Sequence, residues 1–285
     1  MDLIIQLLNG IQYGLLLFLL AAGLTLIFGI MGVLNLAHGS FYMLGAYLAY
    51  WLTAKTGSFW MAIPIGLAMV AVIGGILEST LFSRLYQRNH LDQVLLTFGL
   101  ILVFEEMRSV LFGDDVHGVS VPAALSGSIP LTQTLSYPVY RLFISGVCLL
   151  IAGAMYLVIQ KTRLGMMIRA GSTNREMVQS LGINLQLLYT LVFALGMALA
   201  AFAGMIAAPV SSVFPGMGSH ILIICFVVVV IGGIGSIKGA LIAALMIGIA
   251  DTLGQVLLPE FSGVAVYLLM AIVLLWRPQG LFKVA

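Results

Sequence analysis

GLLLFLLAAGLTLIFGI, residues 14–30, decides the fold. Thr25 is its one side chain able to form a conventional hydrogen bond, and the stretch closes an apolar run that begins at Leu3. About 20 such residues suffice for a helix to cross a hydrocarbon core, so the run reads as a membrane span. It has neither a basic region before it nor a small-residue cleavage site after it, and is expected to be retained rather than removed as a signal peptide.

The remaining sequence has the same character. Of 285 residues, 62% are hydrophobic and only 8% charged. The mean hydropathy is +1.16. No water-soluble domain presents such a composition at its surface, so the chain is a polytopic membrane protein. A net charge of +2, with no basic arm or basic-aromatic cluster, excludes nucleic acid as a partner. Cys148 and Cys225 sit inside apolar runs without metal-ligand spacing and read as packing residues.

Cutting the chain at its polar breaks gives apolar elements at 8–30, 36–52, 60–82, 94–112, 139–159, 187–209, 221–234, 240–257 and 263–276. That makes eight or nine membrane elements in an all-α bundle. Glycine-rich breaks mark 36–52 and the pair around 232–239 as short or re-entrant. Cytoplasmic connections retain Lys and Arg, which orients the bundle. Arg84 and Arg88, then Lys161, Arg163, Arg169 and Arg175, then Lys238, then Arg277 and Lys283 occupy one set of connections. The other set has Lys55 near one connection and Arg141 bordering the long 113–138 loop. The expected topology has the N-terminus outside, the C-terminus in the cytoplasm and an odd number of crossings. Because no linker or low-complexity tract divides residues 1–285, one membrane domain is expected. The glycine pattern around 29–46 is faintly echoed around 232–240, which a duplicated half or ordinary small-residue helix packing explains equally.

Within this oil lies a polar island, residues 161–186, whose four basic residues place it in the cytoplasm. Ser172 or Thr173 could cap a helix, Glu176 follows Thr173 at capping-box spacing, and Gly182 offers a stop. A short helix over 173–181 is expected, exposing polar groups to the cytosol as a docking element.

Glu176-Met-Val-Gln-Ser-Leu-Gly182 resembles the Glu-Ala-Ala-x-x-x-Gly motif of ABC importer permeases, with Met177 and Val178 in place of the two alanines. Five further stretches resemble permeases of the branched-chain amino acid (LivH) type. These are Asn9-Gly-x-x-Tyr13-Gly, Gly23-Leu-x-Leu-Ile-Phe-Gly29, Asn35-Leu-Ala-His-Gly39, Gly232-Gly-Ile-Gly-Ser236 and Arg277-Pro-Gln-Gly280. Thr162-Arg-Leu-Gly-x-x-x-Arg169-Ala, before the docking helix, fits the same family. The resemblance implies an importer in a bacterial inner membrane, built from two related permeases, two cytoplasmic ATPases and a periplasmic substrate-binding protein. This chain would be one permease of a heterodimer, carrying branched-chain amino acids or a related urea, amide or aromatic acid. Thr173, Arg175, Glu176, Gln179 and Gly182 would form the coupling helix in an ATPase cleft. The chain has no phosphate-cradling G-x-x-x-x-G-K-[ST] loop, so ATP and Mg would be held by partner subunits, with no cofactor here.

Polar residues inside the spans are candidates for the translocation path. Asn35 and His38 either line a discontinuous helix or lie at the cytoplasmic interface. Glu105 and Glu106 either line an outer vestibule or, through an i,i+3 pair of Glu105 with Arg108, end a helix. Glu78 and Asp251 pose the same choice, with Asp251, Thr252 and Gln255 the better cluster for a pore wall. His38, His90, His117 and His220 lack metal-ligand spacing, and no nucleophile elbow or triad is present, so an enzyme reading ranks last. A self-sufficient carrier or channel coupled through Asp251 and the Glu105/Glu106 pair is the alternative function. A cytoplasmic docking helix is the feature that separates the two.

Overall fold

The computed structural model describes residues 2–86, 88–130, 136–173, 175–257 and 259–282, without the side chains of residues 2, 173, 175, 176, 261 and 262. Its helices are α1 Asp2–Met31, α2 His38–Thr56, α3 Phe59–Thr80, α4 His90–Phe112, α5 Val139–Lys161, α6 Arg163–Thr173, α7 Arg175–Ser180, α8 Leu185–Ala207, α9 Met217–Gly232, α10 Ile237–Leu257 and α11 Ser262–Trp276. A small antiparallel hairpin, β1 Ser128–Pro130 with β2 Ser136–Pro138, interrupts the long loop and was not expected from the sequence. Among the described residues, α1, α3, α5, α8 and α10 are long and apolar enough to cross a membrane, while the apolar helices α9 and α11 are shorter.

α1 is the axis of the bundle. It is apolar on nearly every side, as a helix surrounded by protein must be, and 89% of its most apolar window is buried against 22% for α3 and α5. Lipid tails are as apolar as leucine, so such helices associate through close packing at small residues. α10 runs antiparallel to α1 along Gly10, Gly14 and Gly248: a Cβ on Gly14 would meet the Ala244 carbonyl oxygen at 2.7 Å, and one on Gly10 the Ile249 Cα at 2.9 Å. α8 crosses α1 at Gly23 and Gly196, where a Cβ added to Gly23 would lie 2.6 Å from the Gly196 carbonyl oxygen.

Side-chain contacts fix the helix directions. Arg141 at the start of α5 meets Asn9 at the start of α1, and Tyr140 meets Ile206 at the end of α8. Glu78 near the end of α3 meets Thr190 near the start of α8. One end of the bundle therefore gathers the 113–138 loop and residues 208–216, joined by paired backbone bonds of 2.8 Å between His117 and Val213. The opposite, basic end gathers Arg84, Arg88, Lys161, Arg163, Arg169, Lys238 and Arg277.

Three expectations change in detail. Of residues 36–52, expected as a short or re-entrant element, 38–52 belong to a 19-residue helix, about 28 Å long at 1.5 Å per residue. The break lies before it: residues 32–37 double back into the bundle, so that α2 begins deep, beside Leu20 of α1 and Met197 of α8. At 232–239, α9 is short, at 16 residues, but α10 is a full 21. Gly233 and Gly235, with φ of 96° and 85°, turn the chain between them. Finally, the polar island is helical over 163–173 and 175–180, α6 and α7, on either side of residue 174, which lies outside the described residues. Ser172 lies inside α6 and donates to the Arg169 carbonyl at 2.8 Å, so it caps nothing, because the helix continues through Thr173.

Candidate functional site

Two cavities open at opposite ends of the α1–α10 pair. The larger, about 700 Å³, lies at the loop end among α1, α2, α9, α10 and α11. Four positions on α1, Gln6, Asn9, Gln12 and Tyr13, turn polar groups into it. They are separated by steps of three, three and one, so they share one helix face. α10 adds Asp251, Thr252 and Gln255, on one face by the same spacing. Gln255 donates to Asp251 at 2.8 Å, and the Thr252 hydroxyl is tied to the Gly248 carbonyl at 2.8 Å. Arg141 reaches in from α5 and donates to the Asn9 amide oxygen at 2.7 Å. Tyr42, Ser211, Phe214, His220 and Tyr267 complete the mixed lining.

At the basic end, a cavity of about 620 Å³ is bounded by Thr25, Leu26 and Phe28 to Ile30 of α1, Tyr156 and Gln160 of α5, Ile168, Arg169 and Ser172 of α6, and Ile234 to Lys238 before and within α10. Thr25 is 1% exposed, and its hydroxyl has no hydrogen-bond partner among the described residues. Along α1 the two cavities are separated by the nine residue steps from Leu16 to Thr25, about 13 Å of closed, buried helix.

α6 forms one wall of the basic-end cavity and α7 continues from it toward solvent. Val178 is buried at 2%, whereas Met177 and Leu181, four residues apart, are 61% and 70% exposed. Gln179 is exposed as well. α7 ends at Gly182, whose φ is 79°. Its amide donates to the Gln179 carbonyl at 2.9 Å, and that of Ile183 donates to the Val178 carbonyl at 3.4 Å, a Schellman closure that needs a left-handed residue at position 182. Asn184 then caps α8 by accepting from the Leu187 amide at 3.0 Å. The side chains of Thr173, Arg175 and Glu176 lie outside the described residues.

The remaining candidates are scattered. Asn35 and His38 are fully buried and line neither cavity. The Asn35 oxygen accepts from the Ala37 amide at 3.0 Å, and a His38 ring nitrogen lies 3.0 Å from the Leu20 carbonyl oxygen, so both satisfy backbone groups where the chain breaks inside the bundle. Glu105 receives Arg108 at 3.3 Å, while Arg108 also bonds the Gly113 carbonyl at 2.7 Å and Asp114 at 2.9 Å, closing the C-terminus of α4. The Arg108 bond holds the Asp114 carboxyl below its ordinary pKa. Glu106 is exposed on α4, and neither glutamate lines a cavity. Of Asn35, His38, Glu78, Glu105, Glu106 and Asp251, only Asp251 lines either cavity, with Thr252 and Gln255 beside it as the sequence grouped them. Gln6, Gln12, Tyr42, Ser211 and His220 also line the loop-end cavity and were not among the path candidates. The spacing of Gln6, Asn9 and Gln12 along α1 was the signal that could have found the first two.

The family described as "Branched-chain amino acid transport system / permease component" matches residues 6–274. The BraD permease protein of the high-affinity branched-chain amino acid transport system of Pseudomonas aeruginosa is 30% identical, over 97% of this chain and 94% of its own. The LivH permease protein of the corresponding Escherichia coli system is 29% identical over the same shares. Among solved structures, "PsaBC from Streptococcus pneumoniae in complex with Fab" shares the fold, with a TM-score of 0.50 at 13% identity, covering 94% of this chain and 88% of that one.

Proposed function

Since this chain belongs to the family of branched-chain amino acid transport permease components, we propose that it is a membrane-spanning permease subunit of an ABC importer. It moves branched-chain amino acids, or a related urea, amide or aromatic acid, into the cytoplasm of a bacterial cell. Two ATPase subunits bind ATP and Mg and supply the energy, a second related permease completes the membrane pathway, and a periplasmic binding protein delivers the solute. The loop end faces the periplasm and the basic end the cytoplasm.

The observation that carries this reading is α7, a short helix held out at the basic end with Met177 and Leu181 exposed on its surface. A solvated loop has no use for a pair of apolar side chains in water, whereas a helix seated in a cleft of a partner buries them. Its connection to α6 gives motion a route, because α6 is a wall of the basic-end cavity. The carrier or channel reading loses support from the same geometry, since Glu105 serves Arg108 and Glu106 stands away from both cavities.

Two substitutions test the proposal. Gly182→Val forces a β-branched residue into a left-handed conformation, which costs about 1–2 kcal/mol or more. Glu176→Lys reverses the charge in the first turn of α7, where a carboxylate suits the helix dipole and a basic partner. Both variants are expected to insert into the membrane normally, to lose uptake and to co-purify with less ATPase. Wild-type uptake with full ATPase retention in both would end the coupling-helix assignment.

A further inference from the structure

The loop-end cavity holds one carboxylate, Asp251, and one guanidinium, Arg141, on its walls. They form no salt bridge with each other: Asp251 is held by Gln255 on its own helix and Arg141 by Asn9. Opposite charges facing a common space without meeting would repel a bare cation at one site and a bare anion at the other. A small dipolar molecule with both charges satisfies the two walls at once. Tyr13 and Tyr267 share the lining and add π faces that attract an ammonium group. The Asn9 amide beside Arg141 adds hydrogen-bonding capacity at the other pole. Leu16, Ile221, Ile224 and Val266 leave part of the lining apolar. A volume of about 700 Å³ falls within the range of small-molecule sites, roughly 300–1,000 Å³.

We propose that this cavity is a zwitterion subsite, in which Asp251 takes the ammonium group and Arg141 the carboxylate of an α-amino acid whose apolar side chain rests on the Leu16–Ile221–Val266 wall. The proposal rests on the importer reading and deepens it, because it assigns recognition to the permease itself and not to a delivering protein alone.

The test uses the purified permease complex in detergent, without binding protein or nucleotide. A single thiol is introduced by Thr252→Cys inside the cavity, and its alkylation by a maleimide is timed; Cys148 and Cys225 are buried and react little. Leucine is compared with 4-methylpentanoate, which lacks the ammonium group, and 3-methylbutylamine, which lacks the carboxylate. Leucine at ten times its dissociation constant is expected to slow labelling by about tenfold, because only the unoccupied fraction reacts. Each analogue should protect far less. Adding Asp251→Asn, which keeps the side-chain shape, should weaken leucine protection by about tenfold or more, as loss of a charge-assisted bond does. Asp251→Glu should restore part of it. If the Asn variant fails to assemble, Arg141→Gln carries the same demand. Equal protection by all three compounds, no protection by leucine, or protection indifferent to both substitutions would overturn the proposal. ATP-driven leucine uptake by the wild-type importer reads the importer assignment separately, so either assignment can fail alone.

Discussion

Glu78 is a wholly buried carboxyl group that pairs with no cation among the described residues. It survives because Tyr86 and Thr190 each donate a hydroxyl to one of its oxygens, joining α3, the turn after it and α8. A buried charge left short of a donor bears the full cost of its lost hydration. Thr190→Val, nearly the same volume without the hydroxyl, should therefore destabilise the protein by about 1–3 kcal/mol. The measurement is the thermal unfolding midpoint in detergent, and an unchanged midpoint would mean that water already reaches the carboxylate. The partners of Glu78 lie 8 and 112 residues away, so sequence could flag the charge but not name what satisfies it. Gly182 is the opposite case. A left-handed helix end is a local property of the chain, and glycine after a short polar helix announces it. Asp251, Thr252 and Gln255 were legible for the same local reason, whereas Arg141 was not, because its place beside Asn9 depends on α5 packing against α1.

At the scale of helices, lengths follow from the apolar runs, and the breaks follow from glycine. What decides stability between helices is how closely backbones approach. Gly14 has no space for a side chain, since a Cβ there meets the Ala244 carbonyl oxygen at 2.7 Å and the Leu245 Cα at 2.9 Å, both backbone atoms that cannot rotate away. Gly14→Leu should then force α10 off α1 and cost about 1–3 kcal/mol or more by overpacking. Gly99, on α4, has nothing within 4 Å of the corresponding position. Gly99→Ala should be neutral or stabilise by up to about 1 kcal/mol through helix propensity. Unfolding midpoints of the two variants, measured side by side, check the seam. A Gly14→Leu protein as stable as wild type would show that the α1–α10 contact is not what holds the bundle. The same pair of helices lines both cavities, so loosening the seam should also disturb uptake.

Over the whole molecule, two asymmetries run in the same direction. Basic residues collect at the end where α6 and α7 stand, and the cavity lined by Asp251 and Arg141 opens at the other. If positive residues mark the cytoplasm, then the cavity proposed for the solute faces the periplasm and the helix proposed to dock the ATPases faces the cytoplasm, as import requires. A reversed molecule would present its docking helix to a compartment without ATP. Single cysteines decide between the two arrangements. Val116, in the long loop, and Met177, on α7, are 63% and 61% exposed, so a thiol at either position is within reach of a reagent on its own side. Cys148 and Cys225 are buried and contribute little background. In intact spheroplasts, a membrane-impermeant maleimide is expected to label Val116→Cys promptly and to spare Met177→Cys until the membrane is permeabilised. The opposite order would invert the molecule and remove both the coupling role of α7 and the periplasmic role of the cavity, since each depends on the compartment it faces.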